Sequence, residues 1–134
     1  MTYKPFPFYQ QLDQMDCGPT CLRMIAKYHG KSYPIEYLRK AANITKEGVS
    51  MGGIAEASEA IGYRTLAVSL SYKDLIKEVP LPCIAHWRQR HFVVIYKIKK
   101  NKIYVADPAH GLITYEKTGF LNGWVGSDKN EDSN

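Results

Sequence analysis

The chain has 134 residues, of which 45% are hydrophobic and 23% are charged, and its formal net charge is +5. This composition is typical of one globular domain with an ordinary core, and it excludes disordered, collagen-like and disulfide-scaffold classes. The apolar runs are too short for a membrane span and the N-terminus lacks the layout of a signal peptide, so the expected compartment is the cytosol.

The first predicted element is a helix over "CGPTCLRMIAKYHG". Asp16 is placed to cap its start, Pro19 lies in its first turn, and Gly30 supplies the C-terminal stop. The apolar residues recur at helical spacing, which predicts that one face of this helix is buried.

Three shorter helices are predicted downstream, in the segments "YPIEYLRKAAN", "SMGGIAEASEAIGY" and "SYKDLIKEV". Ser50 and Ser71 are placed as N-caps of the last two, and Gly62 as the left-handed terminator of the middle one. Before Ser71, the segment "RTLAVSL" alternates apolar and polar residues, which predicts a strand.

From Pro80 onward the pattern predicts strands, in the segments "PCIAHW", "HFVVIYKI", "KIYVADP" and "GLITYEK". Asn101 marks the turn between the second and third of these strands, and "PAHG" marks the turn between the third and fourth. Helices followed by an antiparallel meander make an α+β domain, with N-terminal helices packed on a C-terminal antiparallel sheet.

Two polar segments bear on partners and boundaries. The basic stretch "YKIKKNKIY" is typical of a solvated hairpin tip, and because no nucleic-acid motif accompanies it, no nucleic-acid partner is expected. The ending has no apolar residue after Val125, so we expect one domain over residues 1–126 and a polar tail or connector over 127–134.

Cys17 is the first candidate for chemistry. In the first turn of its helix, unpaired amides and the helix dipole favour a thiolate, the form in which cysteine is a nucleophile. Cys21 follows four residues later on the same face, and both cysteines also fit simple core packing. Three cysteines, an odd number without a secretion signal, argue against a disulfide framework.

A nucleophilic cysteine needs a base and a group that orients the base. Among the four histidines, His91 begins the strand "HFVVIYKI", where its ring is free to project towards a helix start. Asp107 ends the next strand, and a hairpin about Asn101 brings it near His91 if a bulge or a long turn absorbs the unequal arms. The simpler interpretations are a structural histidine and an Asp-Pro turn.

An amide near the sulfur would stabilise the oxyanion of a tetrahedral intermediate, together with the Cys17 backbone N–H. Gln11 lies six residues before Cys17, on the segment that leads into the helix. Gln10 and Gln14 are rivals, and physical arguments from the sequence leave all three open.

The segment "QLDQMDCGPTC" resembles the glutamine, acid–cysteine and second-cysteine signature of the family C39 peptidases. The segments "HFVVIYKI" and "VADPAHG" resemble that family's histidine and aspartate motifs, and the resemblance runs from Gln11 to Trp124. It implies a papain-like cysteine peptidase, with Cys17 as nucleophile, His91 as general base, Asp107 as orienting residue and Gln11 as oxyanion donor. It implies no metal and no cofactor, since ATP is used only by exporter domains absent from this chain.

Domains of this family typically stand at the N-terminus of ATP-binding-cassette (ABC) exporters, on the cytosolic side of the bacterial membrane. They remove a leader peptide after a double-glycine motif, and the exporter then secretes a bacteriocin-like peptide. The resemblance therefore implies two partners: the leader of a precursor peptide, and the transmembrane and nucleotide-binding domains of an exporter. The polar ending after Trp124 favours an excised peptidase domain over a standalone one.

Three other functions stay open at this point. A non-catalytic leader-binding module is disfavoured by the presence of Cys17, His91 and Asp107. A zinc site built from Cys17, Cys21 and a histidine is compatible with the i, i+4 spacing, although Cys21 also fits the buried helix face. A papain-fold acyltransferase would use the same residues and differ only in its acceptor.

Overall fold

The computed structural model describes residues 5–45, 48–88 and 90–125. A 3-10 turn at Gln14–Asp16 is followed by helices and then by strands. The helices are α1 Cys17–Tyr28, α2 Ile35–Ala41, α3 Met51–Ala60, α4 Tyr72–Glu78 and, at the end, α5 Lys117–Gly123. The strands are β1 Cys83–Trp87, β2 His91–Lys99, β3 Lys102–Asp107 and β4 Gly111–Glu116. The predicted α+β class is confirmed.

Serine caps begin α3 and α4, as the sequence predicts. Ser50 Oγ accepts a hydrogen bond from Gly53 N at 3.0 Å, and Ser71 Oγ accepts one from Asp74 N at 3.1 Å. Each cap satisfies an amide of the first turn that has no partner within the helix. Gly62 follows α3 with a φ of 99°, the left-handed conformation in which glycine is favoured.

The four strands form one antiparallel sheet in the order β1-β2-β3-β4, so each strand pairs with its neighbour in sequence. The β2–β3 hairpin turns at Lys100 and Asn101, whose φ angles of 49° and 62° match the twist of a tight hairpin. A bulge interrupts the register between Ile95 and Lys97. The bulge absorbs the unequal lengths of the two arms, as the sequence analysis required.

Both faces of the sheet are covered. Helix α1 packs on one face in a cluster that includes Cys21, Met24, Ile25, Phe92, Val94 and Ala106. Helices α4 and α5 contribute to a second cluster with residues of the other face, including Tyr72, Leu75, Val93, Ile95, Val105 and Phe120. The Cys21 thiol donates to Phe92 O at 3.3 Å, which ties the first turns of α1 to the start of β2. This contact sets the N-terminus of α1 beside the strand end that carries His91.

The predicted strand over 64–70 is wrong, because this segment forms neither helix nor strand. Leu66 is 85% exposed and Val68 is 48% exposed, so apolar residues of the alternating pattern face solvent and are not buried against a neighbour. A strand persists only when its backbone groups pair with a neighbour. The segment pairs with no strand of the described sheet.

Helix α5 was not predicted, since its two glycines give it weak helix propensity. It forms because Phe120 is fully buried, with its ring 5.4 Å from Trp124 and 5.6 Å from Trp87. Tertiary packing thus outweighs local preference here.

Two further expectations concern the membrane and the tail. Among the described residues, no helix combines the length and the apolar character that crossing a bilayer requires. The tail over 127–134 lies outside the described residues. The predicted domain boundary there remains a prediction.

Candidate active site

A cleft of about 1050 Å³ separates the start of α1 from the ends of β2 and β3. All four residues that the sequence analysis singled out line it: Gln11, Cys17, His91 and Asp107. Helix α1 begins at Cys17, as predicted. The Cys17 side chain therefore lies in the first turn, where the helix dipole favours a negative charge. Cys17 is only 4% exposed, which places its sulfur at the bottom of the cleft.

His91 and Asp107 form the opposite wall. His91 Nε2 lies 2.7 Å from Asp107 Oδ1, and the Ala109 N–H donates to the same oxygen at 2.9 Å. Val94 pairs with Ala106, so the register continues with Asp107 one step beyond that pair. The contact with His91 is therefore a diagonal one across the two strands, within reach of long side chains.

The charges of this pair depend on each other. Burial lowers the pKa of His91, but hydrogen bonds with Asp107 and Cys17, together with their charges, outweigh burial and raise the pKa from 6.5 to about 9. Burial raises the pKa of Asp107, yet hydrogen bonds with His91, Ala109 and His110 hold it below the usual 3.8. At neutral pH the pair is an imidazolium and a carboxylate, and the imidazolium lines the same cleft as Cys17.

Such a set can generate a thiolate and move a proton. An imidazolium beside the sulfur stabilises the thiolate, and after attack on a carbonyl the same ring can protonate a leaving amine. The carboxylate fixes the orientation of the ring by holding Nε2.

The glutamines occupy different environments. Gln11 N donates to Pro108 O at 2.9 Å, which fixes the segment before α1 against the loop after Asp107. The Gln10 side chain donates to Ala109 O at 3.1 Å and does not line the cleft. Gln11 and Gln14 do line it, so the structure separates Gln10 from the other two.

Cys21 has a structural environment. It is fully buried, and burial raises the pKa of its thiol well above 9.0, so it stays neutral and donates to Phe92 O. A neutral thiol with a backbone acceptor is a poor zinc ligand, which disfavours the zinc set built on Cys17 and Cys21. Within the described ranges, the one group of at least three candidate ligands that comes together is His91, Asp107 and His110, with donor atoms within 4.8 Å of one another.

His110 is a cleft residue that sequence reasoning missed. Its side chain is 71% exposed, but Nδ1 lies 3.2 Å from Asp107 Oδ2. Asp107 thus contacts two imidazoles, one through each oxygen. The available signal was the three-residue separation from Asp107 in a tight turn, which favours such a local contact.

Asp16 departs from its predicted role. It precedes α1 but makes no capping hydrogen bond, and its carboxylate is fully buried. Arg39 Nε from α2 lies 2.9 Å from Asp16 Oδ1 instead. The side-chain cap in this region is one turn earlier, where Asp13 Oδ1 accepts from Met15 N at 2.8 Å.

Comparison with known proteins bears directly on this site. The Peptidase C39 family model matches residues 5–127. The chain belongs to the peptidase C39 family. It is therefore a cysteine peptidase, as the three motifs indicated.

Relatives in this family are parts of much longer proteins. The Colicin V secretion/processing ATP-binding protein CvaB of Escherichia coli is 37% identical over 130 residues, covering 91% of this chain and 18% of the relative. The Lactococcin-G-processing and transport ATP-binding protein LagD of Lactococcus lactis subsp. lactis is 37% identical over 123 residues, covering 88% of this chain and 17% of the relative. The chain thus spans about a fifth of the length of these curated relatives.

Solved structures of C39 peptidase domains share the fold. A double glycine motif protease from an AMS/PCAT transporter, in complex with the leader peptide, has a TM-score of 0.86 at 28% identity and covers 90% of this chain and 86% of its own. The peptidase domain of Streptococcus ComA, a bi-functional ABC transporter, has a TM-score of 0.85 at 29% identity. The match covers 91% of this chain and 94% of that structure's chain. The predicted papain-like peptidase fold is confirmed.

Proposed function

We propose that this C39 peptidase removes the double-glycine leader from a secreted, bacteriocin-like precursor peptide, with Cys17 as nucleophile. The observation that supports this most directly is that His91, whose Nε2 lies 2.7 Å from Asp107 Oδ1, lines the same cleft as Cys17 at the start of α1. The similarity to a double glycine motif protease in complex with its leader peptide supports the choice of substrate.

The proposed reaction is acyl transfer through a thioester. The Cys17 thiolate attacks the carbonyl carbon of the second glycine, and the oxyanion accepts hydrogen bonds from the Gln11 side-chain amide and the Cys17 backbone N–H. His91 then protonates the departing amine, which leaves the leader bound to sulfur. A water molecule, deprotonated by His91, attacks the thioester and releases the leader with a free carboxylate, while Asp107 holds the ring in place.

The recessed site fits glycine at the cut. Cys17 is 4% exposed and the His91 side chain 17%, so the scissile carbonyl must come deep into the cleft to reach them. A backbone without Cβ atoms approaches more closely than any other, which favours two glycines before the cut bond.

The partners proposed follow from the relatives. These are transport and processing ATP-binding proteins, of which this chain matches about a fifth. We propose that the domain works with the transmembrane and nucleotide-binding domains of an ABC exporter, on the cytosolic face of the bacterial membrane. Hydrolysis by Cys17 and His91 needs no metal or other cofactor, and no nucleic-acid partner is proposed.

A cleavage assay tests the function. A synthetic leader–core peptide with Gly-Gly at the junction is incubated with the native protein, with Cys17→Ala and with the matched control Cys21→Ala, and the products are identified by mass spectrometry. We expect one cut after the second glycine in the native protein and in Cys21→Ala, and none in Cys17→Ala. A bound but uncut peptide in the native protein would support a leader-binding module instead. Transfer of the leader to an added amine in preference to water would indicate an acyltransferase.

A further inference from the structure

A buried carboxylate stands directly before the candidate nucleophile. Asp16 is 0% exposed, and it lies at the junction between the 3-10 turn and α1. Its side chain caps nothing, so the charge does not serve the start of the helix. Burial raises the pKa of its carboxyl, and the Arg39 guanidinium opposes part of that rise.

Arg39 reaches this carboxylate from another helix. Its Nε lies 2.9 Å from Asp16 Oδ1, and its Nη2 lies 4.0 Å from Asp13 Oδ2. The Arg39 side chain is 38% exposed, so one end contacts the buried acid and the other end faces water. Leu38, its neighbour in α2, is fully buried in a cluster with Leu22 of α1, which fixes α2 against α1.

A negative charge in this position works against the chemistry. Asp16 directly precedes Cys17 in the chain, and an uncompensated anion near a thiolate disfavours the thiolate. An unpaired buried carboxylate also destabilises the turn that holds it. The same turn connects Cys17 to Gln11, whose backbone is fixed to Pro108 O on its other side. Neutralising Asp16 therefore affects both the charge at the nucleophile and the position of the oxyanion donor.

We propose that Arg39 is a positioning residue for the nucleophile: it neutralises the buried Asp16 carboxylate and anchors the start of α1 to α2. This inference rests on the proposed role of Cys17. Arg39 itself does not line the cleft and takes no part in the bond-making steps.

The test is the pH dependence of Cys17 alkylation by iodoacetamide, measured by mass spectrometry of the peptide that carries Cys17. Within the part of the chain that the structure describes, the charged and titratable groups around Cys17 and Asp16 include Asp13, Cys21, Arg39, Arg88, Arg90, His91, Asp107, His110 and Tyr115. Among these groups and Asp16, only Asp16 and Arg39 are changed, so the others are constant across the set. Alkylation needs no substrate, and its outcome is independent of whether the leader peptide is cleaved.

We expect Arg39→Met to move the alkylation midpoint up by about one pH unit, which slows alkylation by up to about tenfold at a pH below the native midpoint. The double variant Asp16→Asn/Arg39→Met should return the midpoint to that of the native protein, and Arg39→Lys should lie between the two. Arg23→Met is the matched control, since Arg23 lies on α1 but donates to Tyr33 O outside the cleft. It should leave the midpoint unchanged.

A purely structural role of Arg39 predicts a different result. It predicts that Arg39→Met and the double variant lose stability together and keep the native midpoint, and that result would overturn the proposal. If Arg39→Met does not fold, Asp16→Asn alone decides the question. It should move the midpoint down, because it leaves a guanidinium without its counter-charge, and an unchanged midpoint would again overturn the proposal.

Discussion

His91 Nε2 lies 2.7 Å from Asp107 Oδ1, with the two side chains 17% and 4% exposed. In this environment the pKa of His91 is raised from 6.5 to about 9. A raised histidine pKa contributes stability that is fully present below pH 6.5 and is lost as the pH rises through about 9. The lowered pKa of Asp107 has the opposite sign: its contribution is present above 3.8 and is lost as the pH falls below that value.

The first prediction is the pH profile of cleavage. The alkaline limb of kcat/KM should lie near pH 9, where His91 loses its proton in the free enzyme. Asp107→Ala should move this limb down towards pH 6.5 and lower kcat/KM by about 10²–10³-fold, because the ring loses both its charge partner and its orientation. Asp107→Asn, which keeps an acceptor oxygen for the ring, should lower kcat/KM by a smaller factor than Asp107→Ala. If the alkaline limb stays near pH 9 in Asp107→Ala, the limb does not report the His91–Asp107 pair.

The second prediction concerns the oxyanion donor. Gln11→Ala should lower kcat by about 10²–10³-fold with little change in KM, since the hydrogen bond is needed mainly in the transition state. Gln10→Ala is the matched control, because that side chain donates to Ala109 O outside the cleft, and its kcat should stay within about twofold of native. If Gln14→Ala has the large effect and Gln11→Ala does not, the donor is Gln14.

The third prediction tests the wall of the cleft formed by Trp87. A Cβ on Gly123 would overlap the Trp87 ring, so Gly123→Ala must displace the indole. We expect a loss of about 1–3 kcal/mol in the free energy of unfolding, typical of overpacking, and reduced cleavage because Trp87 lines the cleft. Urea denaturation and the peptide assay measure the two effects.

The matched control for that variant is Gly119→Ala, in the same helix. Its Cβ would lie 3.5 Å from Tyr115 Cδ1, an ordinary contact. The substitution should leave the free energy of unfolding unchanged or raise it by about 0.5–1 kcal/mol, since alanine favours the helix. Equal destabilisation by both variants would show that α5 tolerates no residue larger than glycine at either position. The loss in Gly123→Ala would then not be specific to displacement of Trp87.

The fourth prediction separates the peptidase from the zinc alternative. Cys21→Ala should cost about 1–2 kcal/mol of stability through lost packing and the lost hydrogen bond to Phe92, yet keep its cleavage activity. A chelator such as EDTA should leave the rate of the native protein unchanged. Loss of activity in both experiments would point to a metal held by the two cysteines.

Much of the fold follows from local patterns. Ser50 and Ser71 cap the helices that the sequence predicts, because a serine before an apolar periodic run satisfies an amide that has no other partner. The strands from Cys83 to Glu116 follow from alternation and short turns, which pair neighbours in sequence. The segment over 64–70 shows the limit of this reasoning, since alternation there meets no neighbouring strand.

The candidate site divides in the same way. The sequence by itself determined that Cys17 starts a helix and that a hairpin brings His91 near Asp107, because helix starts and hairpin registers depend on nearby residues. Only the tertiary structure decided that Asp16 pairs with Arg39 and that His110 contacts Asp107. It also decided that α5 forms against Trp87, through Phe120. These contacts depend on packing between distant elements or on the exact path of a turn, and residue spacing does not encode either one.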